Sequence, residues 1–154
     1  MGRQSFWGAN VSKAGKAILD AKVELLVPYH DCDPAGVVWH GNYLRYFDEA
    51  RCALLDSIDY GYREMEASGF LWPVIDAQLR FVRPLRYHEK FTVECRLLEY
   101  EYRMVMEYTV LNAAGEIATS GKTVQVAVDV SNNEMCLGSP QVLLDKLGID
   151  ADDV

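Results

Sequence analysis

The change in hydrophobic periodicity near the middle of the chain constrains the fold more than any other feature of the sequence. Between residues 43 and 58 apolar side chains recur every three or four positions, whereas from residue 73 onward they largely alternate with polar ones. The first spacing is typical of one face of a helix, and the second of one face of a strand. The sequence therefore predicts one amphipathic helix of about 17 residues, capped by Gly41 or Asn42 and ended by Gly61.

Alternation also marks the predicted strands. One alternating segment precedes the helix and four follow it: 21–28, 73–82, 91–97, 104–110 and 116–130. Short turns such as 112–115 join consecutive segments, which implies antiparallel pairing. A last short helix is predicted at 141–147, where Pro140 suits a helix start.

This order of elements predicts an α+β domain built on a five-stranded antiparallel sheet. We expect residues 1–20 to form an N-terminal lead-in, 21–147 a single domain and 148–154 a C-terminal tail. One long helix can cover only one face of such a sheet. The other face needs a partner, so the domain is expected to form a homodimer.

Composition excludes several classes of function. The net charge is −8, and a nucleic-acid surface would need clustered Lys and Arg. No apolar run approaches the roughly 20 residues of a membrane span, and the N-terminus lacks the apolar core of a secretory signal. The four cysteines are widely spaced without a Cys-x-x-Cys pair, which favours free thiols in a reducing compartment. We therefore expect a cytoplasmic protein that binds neither nucleic acid nor membrane.

The segment from residue 29 to residue 43, between the first strand and the helix, is the candidate active site. It contains two aspartates and two histidines, and loops joining rigid elements commonly carry chemistry. Asp33 precedes a proline, so it either forms an Asx turn or acts as a catalytic carboxylate. Asp31 is expected to be structural, bonding backbone N–H groups of the loop. His40 acts either through its side chain or only through its backbone N–H.

Two other chemistries are disfavoured at this loop. Its histidines lack the i, i+4 spacing of helical zinc sites, so no metal site is predicted. Cys32 lies between two carboxylates, whose negative charge disfavours the thiolate that a nucleophile needs.

The loop and its flanks resemble a known family. The stretch Asp31-Cys32-Asp33-Pro34-Ala35-Gly36-Val37-Val38-Trp39-His40 is similar to the motif of hotdog-fold acyl-CoA thioesterases, in particular the 4-hydroxybenzoyl-CoA thioesterase family. The likeness extends over residues 21–147 and includes these features: Asn42-Tyr43, the helix with Asp48 and Arg51, Phe81-x-x-Pro84-Leu85, and Val124-x-Val126-x-Val128-Asp129.

The resemblance implies a hotdog fold, in which a five-stranded antiparallel sheet wraps around one long helix. It implies that Asp33 is the catalytic carboxylate and that the helix start at His40 supplies an N–H to the thioester carbonyl. It also implies active sites at the interface of a homodimer, with dimers pairing into a homotetramer. Coenzyme A enters as part of the acyl-CoA substrate, and no separate cofactor or metal is expected.

The likeness also extends to a substrate contact, because Asp48 matches an acidic helix position of the family that can face the acyl pocket and would suit a hydroxylated aromatic ring. Tyr43 and Trp72 either line the same pocket or pack in the core. The basic residues proposed to hold coenzyme A are Arg83, Arg86, Arg103 and Lys122. The chain departs from the family here, because residues 99–103 read Glu-Tyr-Glu-Tyr-Arg where the aromatic-acyl branch has a basic run. An acyl-carrier-protein thioester is the alternative carrier.

Thioester hydrolysis needs a polarised carbonyl and an attacking oxygen. A helix N-terminus provides free N–H groups and the positive end of a dipole. Asp33 then attacks the thioester carbon or deprotonates water. The alternatives are a hotdog hydratase or dehydratase, whose His-Phe-Pro-Gly type of motif is missing here, and a non-catalytic module that binds acyl thioesters.

Overall fold

The computed structural model describes residues 18–150 and confirms the α+β fold. The predicted lead-in lies outside the described residues as far as residue 17, as does the predicted tail from residue 151. The described residues form three α-helices: α1 Tyr43–Asp56, α2 Tyr62–Ser68 and α3 Gln141–Leu147. The strands are β1 Leu19–Leu26, β2 Phe70–Leu71, β3 Val74–Phe81, β4 Lys90–Glu99, β5 Met104–Leu111, β6 Ile117–Gln125, β7 Val128–Asp129 and β8 Glu134–Met135.

Five strands form the main antiparallel sheet in the order β1-β4-β5-β6-β3. The predicted strand 116–130 is wrong beyond Gln125, where β6 ends and the chain continues into a small sheet ordered β2-β7-β8. Pairing of β6 with β3 stops at Val74, since Pro73 has no N–H to extend the ladder. Val128 and Asp129 pair instead with β2.

Helix α1 is shorter than predicted, with 14 residues. A 3-10 turn, His40–Asn42, precedes it. The helix ends at Asp56, before the predicted Gly61, because Asp59 turns the chain with a φ of 55°. Gly61 instead precedes α2, which ends at Gly69 with a φ of 87°.

Helix α1 packs across one face of the sheet. The ring of Phe47 stacks on that of Tyr108 of β5, with centroids 4.3 Å apart and planes at 4°. A Cβ at Gly121 of β6 would collide with the Phe47 ring, so the glycine permits this close approach. Burial of an aromatic side chain at such a contact contributes about 1.5–3 kcal/mol. The contact holds α1, and the loop before it, against the sheet.

The opposite face of the sheet is polar along its central row. Asp20, Arg96, Glu107 and Lys122 lie side by side across four strands with alternating charge. The guanidinium of Arg96 lies 3.3 Å from the carboxylate of Glu107. Because this row does not require an apolar cover, it gives no reason to expect a partner subunit on this face of the sheet.

The free edge of β3 offers a different contact surface. Among residues 18–150, β3 pairs only with β6, so its other edge is open. Ile75 is 58% exposed and Phe81 is 53% exposed on this strand. An open edge with exposed apolar side chains is a natural site for pairing with another strand.

Two further properties of residues 18–150 bear on function. No helix there has both the length and the apolar character needed to cross a membrane. Cys32, Cys52, Cys95 and Cys136 are free thiols.

Candidate active site

The loop after β1 folds back on itself before α1 begins. Residues Cys32 and Val38 form an antiparallel bridge, and the Asp33 N–H donates to the Val37 carbonyl at 2.8 Å. Gly36 adopts a φ of 79° at the tip, a conformation that glycine adopts without strain. Val38 then donates to the Leu85 carbonyl at 2.8 Å, which fixes the returning arm to the segment before β4.

Asp33 lies at the base of this turn and is partly exposed. Its Oδ1 accepts a 2.9 Å hydrogen bond from the Ala35 N–H, so the Asx turn considered from the sequence is present. No partner is recorded for Oδ2 among the residues that the structure describes. One carboxylate oxygen therefore shapes the loop, and the other remains available to a ligand.

The start of the helix provides the second component. The Asn42 N–H donates to the Trp39 carbonyl at 2.9 Å, whereas within residues 18–150 the amides of His40 and Gly41 have no recorded acceptor. A Cβ at Gly41 would overlap the ring of Trp39, so that ring covers the turn closely. Free amides at the N-terminal end of a helix favour negative charge nearby.

Asp31 connects the loop to α1. Only 2% of this residue is exposed, and its carboxylate accepts a 2.6 Å hydrogen bond from the Tyr46 hydroxyl and pairs with Arg45. Its carbonyl accepts hydrogen bonds from the Trp39 N–H and the Asn42 side chain, at 2.9 Å and 2.8 Å. The structural role predicted for Asp31 is confirmed. The predicted partners are wrong, because the carboxylate bonds side chains of α1 and not loop amides.

Asp33 and His40 line one shallow groove of about 310 Å³. Its other walls come from the loop, from Tyr43 of α1 and from the segment Phe81–Pro84 at the end of β3. The exposed imidazole of His40 lies with its ring centroid 6.3 Å from that of Phe81. The groove thus brings together a carboxylate, a helix start and an apolar wall.

The acyl-pocket candidates are distributed differently. Tyr43 is buried on the groove, with its ring centroid 5.5 Å from that of Phe81, and burial raises its pKa. Asp48 is exposed further along α1, where its carboxylate lies 2.8 Å from the guanidinium of Arg51. Trp72 lines a separate cavity of about 650 Å³, and its indole N–H donates to the Tyr60 hydroxyl at 3.0 Å. A single chain therefore does not bring Trp72 to Asp33.

The coenzyme A candidates also separate into two groups. Arg83 lines the groove while donating to the Ile117 carbonyl at 2.8 Å, and Arg86 bridges Val37 through its backbone. Arg103 follows the far end of β4, about 30 Å from the start of that strand at the usual rise per residue. It pairs with Glu99. Lys122 lies on the outer face of the sheet beside Glu107. Only the first two lie near Asp33 within one chain.

Within residues 18–150, no three His, Cys, Asp or Glu side chains cluster closely enough to hold a metal ion.

The sequence did not identify the apolar wall of the groove. Phe81 and Val82 contact the site from the end of β3, nearly 50 positions after Asp33. Their signals were the strand that ends before Pro84 and the Phe81-x-x-Pro84-Leu85 feature of the resemblance, which assigned Phe81 no role in the site. The partnership of Tyr46 with Asp31 had no local signal, because it depends on how α1 crosses the loop.

This arrangement, a five-stranded antiparallel sheet around one helix with a carboxylate loop at the helix start, defines a hotdog-fold thioester hydrolase. The chain belongs to the thioesterase-like superfamily, whose family model matches residues 27–147.

Individual relatives agree with this family. YneP of Bacillus subtilis (strain 168), provisionally named an acyl-CoA thioesterase, is 33% identical over 71% of this chain and 80% of its own length. The 1,4-dihydroxy-2-naphthoyl-CoA hydrolase of Thermosynechococcus vestitus is 28% identical over 70% of this chain and 75% of its own. The crystal structure of the DHNA-CoA thioesterase from Staphylococcus aureus matches with a TM-score of 0.72, at 28% identity over 77% of this chain and 80% of that one.

Proposed function

We propose that the protein hydrolyses an acyl-CoA thioester to the free acid and coenzyme A, with Asp33 as the catalytic carboxylate. The observation that carries this proposal is that Asp33 and the helix start at His40 line the same groove. The names of the Bacillus and Thermosynechococcus relatives support a coenzyme A thioester as the substrate.

The thioester carbonyl is proposed to face the N-terminal end of α1. As the carbonyl carbon becomes tetrahedral, negative charge develops on its oxygen, and we propose that the amides of His40 and Gly41, which have no acceptor within residues 18–150, stabilise that charge. Val38 and Phe81 provide apolar walls beside this region, and burial of these walls under the bound substrate would strengthen the interaction. His40 therefore acts first through its backbone.

Asp33 supplies the attacking oxygen by one of two routes. Its free Oδ2 attacks the thioester carbon to form a mixed anhydride, which water then hydrolyses to the free acid and Asp33, or it deprotonates a water molecule that attacks. In both, the C–S bond breaks and coenzyme A leaves as a thiolate, a good leaving group that requires no strong general acid. The route uses no metal or organic cofactor. A single turnover in ¹⁸O water that leaves the label in Asp33 and none in the acid identifies the anhydride route, because direct attack by water always carries the label into the acid.

Coenzyme A is proposed to extend from the groove past Arg83 and Arg86. Both lie next to the Asp33 loop, and phosphate recognition needs positive charge. Arg103 and Lys122 are proposed to contribute only from another subunit, since each is remote from Asp33 within one chain.

A homodimer formed through β3 is proposed to complete the site. Phe81 lies at the groove end of β3, and Pro73 adjoins the Trp72 cavity about 25 Å away at the usual strand rise. If the open edges of two copies pair antiparallel about the middle of β3, the Phe81 end of one copy meets the Val74 end of the other. The Asp33 groove then faces the partner's Trp72 cavity, which becomes the acyl pocket. Two such dimers are proposed to pair into a tetramer.

The Asx turn at Asp33 favours one competing function, a module that binds acyl thioesters without cleaving them. Release of free thiol from aromatic, short-chain and long-chain acyl-CoAs, followed with a thiol reagent, distinguishes the two. We expect turnover of at least one acyl class. Binding of acyl-CoAs in calorimetry without thiol release from any class would instead indicate the binding module.

A further inference from the structure

The cavity beside Trp72 has a polar group that a purely apolar acyl pocket would not need. It has about twice the volume of the Asp33 groove, about 650 Å³ against 310 Å³, and lies between α1, α2 and the start of β3. Its apolar walls include Leu55, Met65 and Trp72. Arg51 of α1 also lines it.

Arg51 is largely buried, with 19% of its side chain exposed. A guanidinium carries five N–H donors, and burying such a group without acceptors is costly. Among residues 18–150, the recorded polar partner of Arg51 is Asp48, whose carboxylate lies 2.8 Å from one terminal nitrogen. The remaining donors are therefore available to a molecule in the cavity.

Gln125 adds a second donor to the same wall. It is only 1% exposed, and its Oε1 accepts a hydrogen bond from the Thr123 hydroxyl at 2.9 Å. Its amide nitrogen has a poor acceptor, the sulfur of Met106 at 3.8 Å. Asp56 lines the same cavity with a carboxylate that can only accept, so Arg51 and Gln125 offer donors beside an acceptor, which suits a ligand oxygen that both accepts and donates.

The negative charge of Asp48 favours an uncharged ligand oxygen in this cavity over a second carboxylate. Because Asp48 already neutralises Arg51, a second carboxylate would bring two negative charges to one guanidinium. A hydroxyl oxygen accepts from Arg51 without adding charge. An acyl group that is largely apolar and carries a hydroxyl therefore matches both the walls and the donors.

We propose that Arg51 is a specificity-determining residue that donates a hydrogen bond to a hydroxyl oxygen on the acyl group of the thioester. This inference rests on the proposed function, in which the cavity of one copy receives the acyl group held at the Asp33 groove of another. It assigns a role to Arg51 that Asp48 alone does not supply, because a carboxylate can only accept from the hydroxyl.

The test compares kcat/KM for benzoyl-CoA, 4-hydroxybenzoyl-CoA and 4-carboxybenzoyl-CoA in the full-length protein and in Arg51→Met. We expect the unmodified protein to prefer the hydroxylated substrate. The substitution should lower its kcat/KM by at least about 10-fold, as loss of a hydrogen bond from a charged donor predicts, and leave benzoyl-CoA within about 3-fold. Arg63→Met, an exposed arginine of α2, is the matched control.

Arg51→Lys provides a second variant that keeps the positive charge beside Asp48 but loses the planar fork of donors. The preference for the hydroxyl should fall in this variant as well. Equal losses for benzoyl-CoA and 4-hydroxybenzoyl-CoA, or an unchanged preference, would overturn the inference while leaving thioesterase activity intact. A strong preference for 4-carboxybenzoyl-CoA would also overturn it. An unmodified protein that hydrolyses none of these or other acyl-CoAs would overturn the proposed function and this inference with it.

Discussion

The Tyr46 hydroxyl donates a 2.6 Å hydrogen bond to the buried carboxylate of Asp31, which links the second turn of α1 to the loop that carries Asp33. Two residues later in the chain, Asp33 enters its own turn. The position of Asp33 relative to the helix start therefore depends on this bond, together with the ion pair between Asp31 and Arg45.

Replacing Tyr46 by Phe tests this link. The buried Asp31 carboxylate would lose a hydrogen bond, and we expect the free energy of unfolding to fall by about 1–3 kcal/mol. If the bond positions the loop, kcat should fall as well, with little change in KM. Urea denaturation and steady-state kinetics measure the two effects. A variant with unchanged stability and activity would show that the bond has no such role.

The fold was largely predictable because its determinants are periodic. The helical spacing from Tyr43 and the alternation in β4 and β5 each follow from which face of the element is buried. Burial of that face requires apolar side chains at those positions, so the pattern can be read from the sequence. The break after Gln125 was not predictable from alternation, since Val124, Val126 and Val128 continue the pattern while the chain changes sheets. The end of β6 is decided by the strands with which the chain pairs before and after Gln125, and periodicity does not specify them.

The candidate site was predictable only in its local part. Asp33 and His40 are seven positions apart and share one loop, so the sequence could place them together. Tyr46 and Phe81 reach the site through the packing of α1 and β3, which no short motif encodes. Trp72 was grouped with Tyr43, yet it lines another cavity of the same chain, and only pairing of two copies would unite them.

The dependence of stability on pH follows from a buried thiol. Burial raises the pKa of Cys95 to about 12, above the value of about 8.5 expected in the unfolded chain. The unfolded chain therefore loses this proton first, so the stabilisation is complete below about pH 8.5 and declines as pH rises toward 12. The expected slope is on the order of 1 kcal/mol per pH unit.

Urea unfolding at about pH 8 and about pH 10 measures this slope. Cys95→Ala removes the titrating group, so the variant should lose less stability between the two pH values than the unmodified protein does, whatever its absolute stability. Equal losses in both proteins would contradict the assignment to Cys95.

If two copies assemble through β3, a charge introduced on the open edge of that strand should disrupt the dimer. Ile75→Asp places a charge on the exposed edge strand, and we expect it to convert a dimer to a monomer in light scattering. Thiol release should fall with it, because the acyl pocket is proposed to come from the second copy. Leu137→Asp, at a position 93% exposed outside β3, is the control that should remain dimeric. A monomeric unmodified protein, or a dimeric and fully active Ile75→Asp variant, would contradict this assembly.

The catalytic role of Asp33 is tested most directly by the rate of thiol release in Asp33→Asn. Asparagine keeps the Asx turn to Ala35, since its side-chain oxygen still accepts that N–H, but it cannot attack the thioester or act as a base of comparable strength. Asp20→Asn, at an exposed position of β1, is the matched control. We predict that kcat falls at least ~100-fold in Asp33→Asn, with folding unchanged, and stays constant in the control. Full activity in Asp33→Asn would contradict the mechanism.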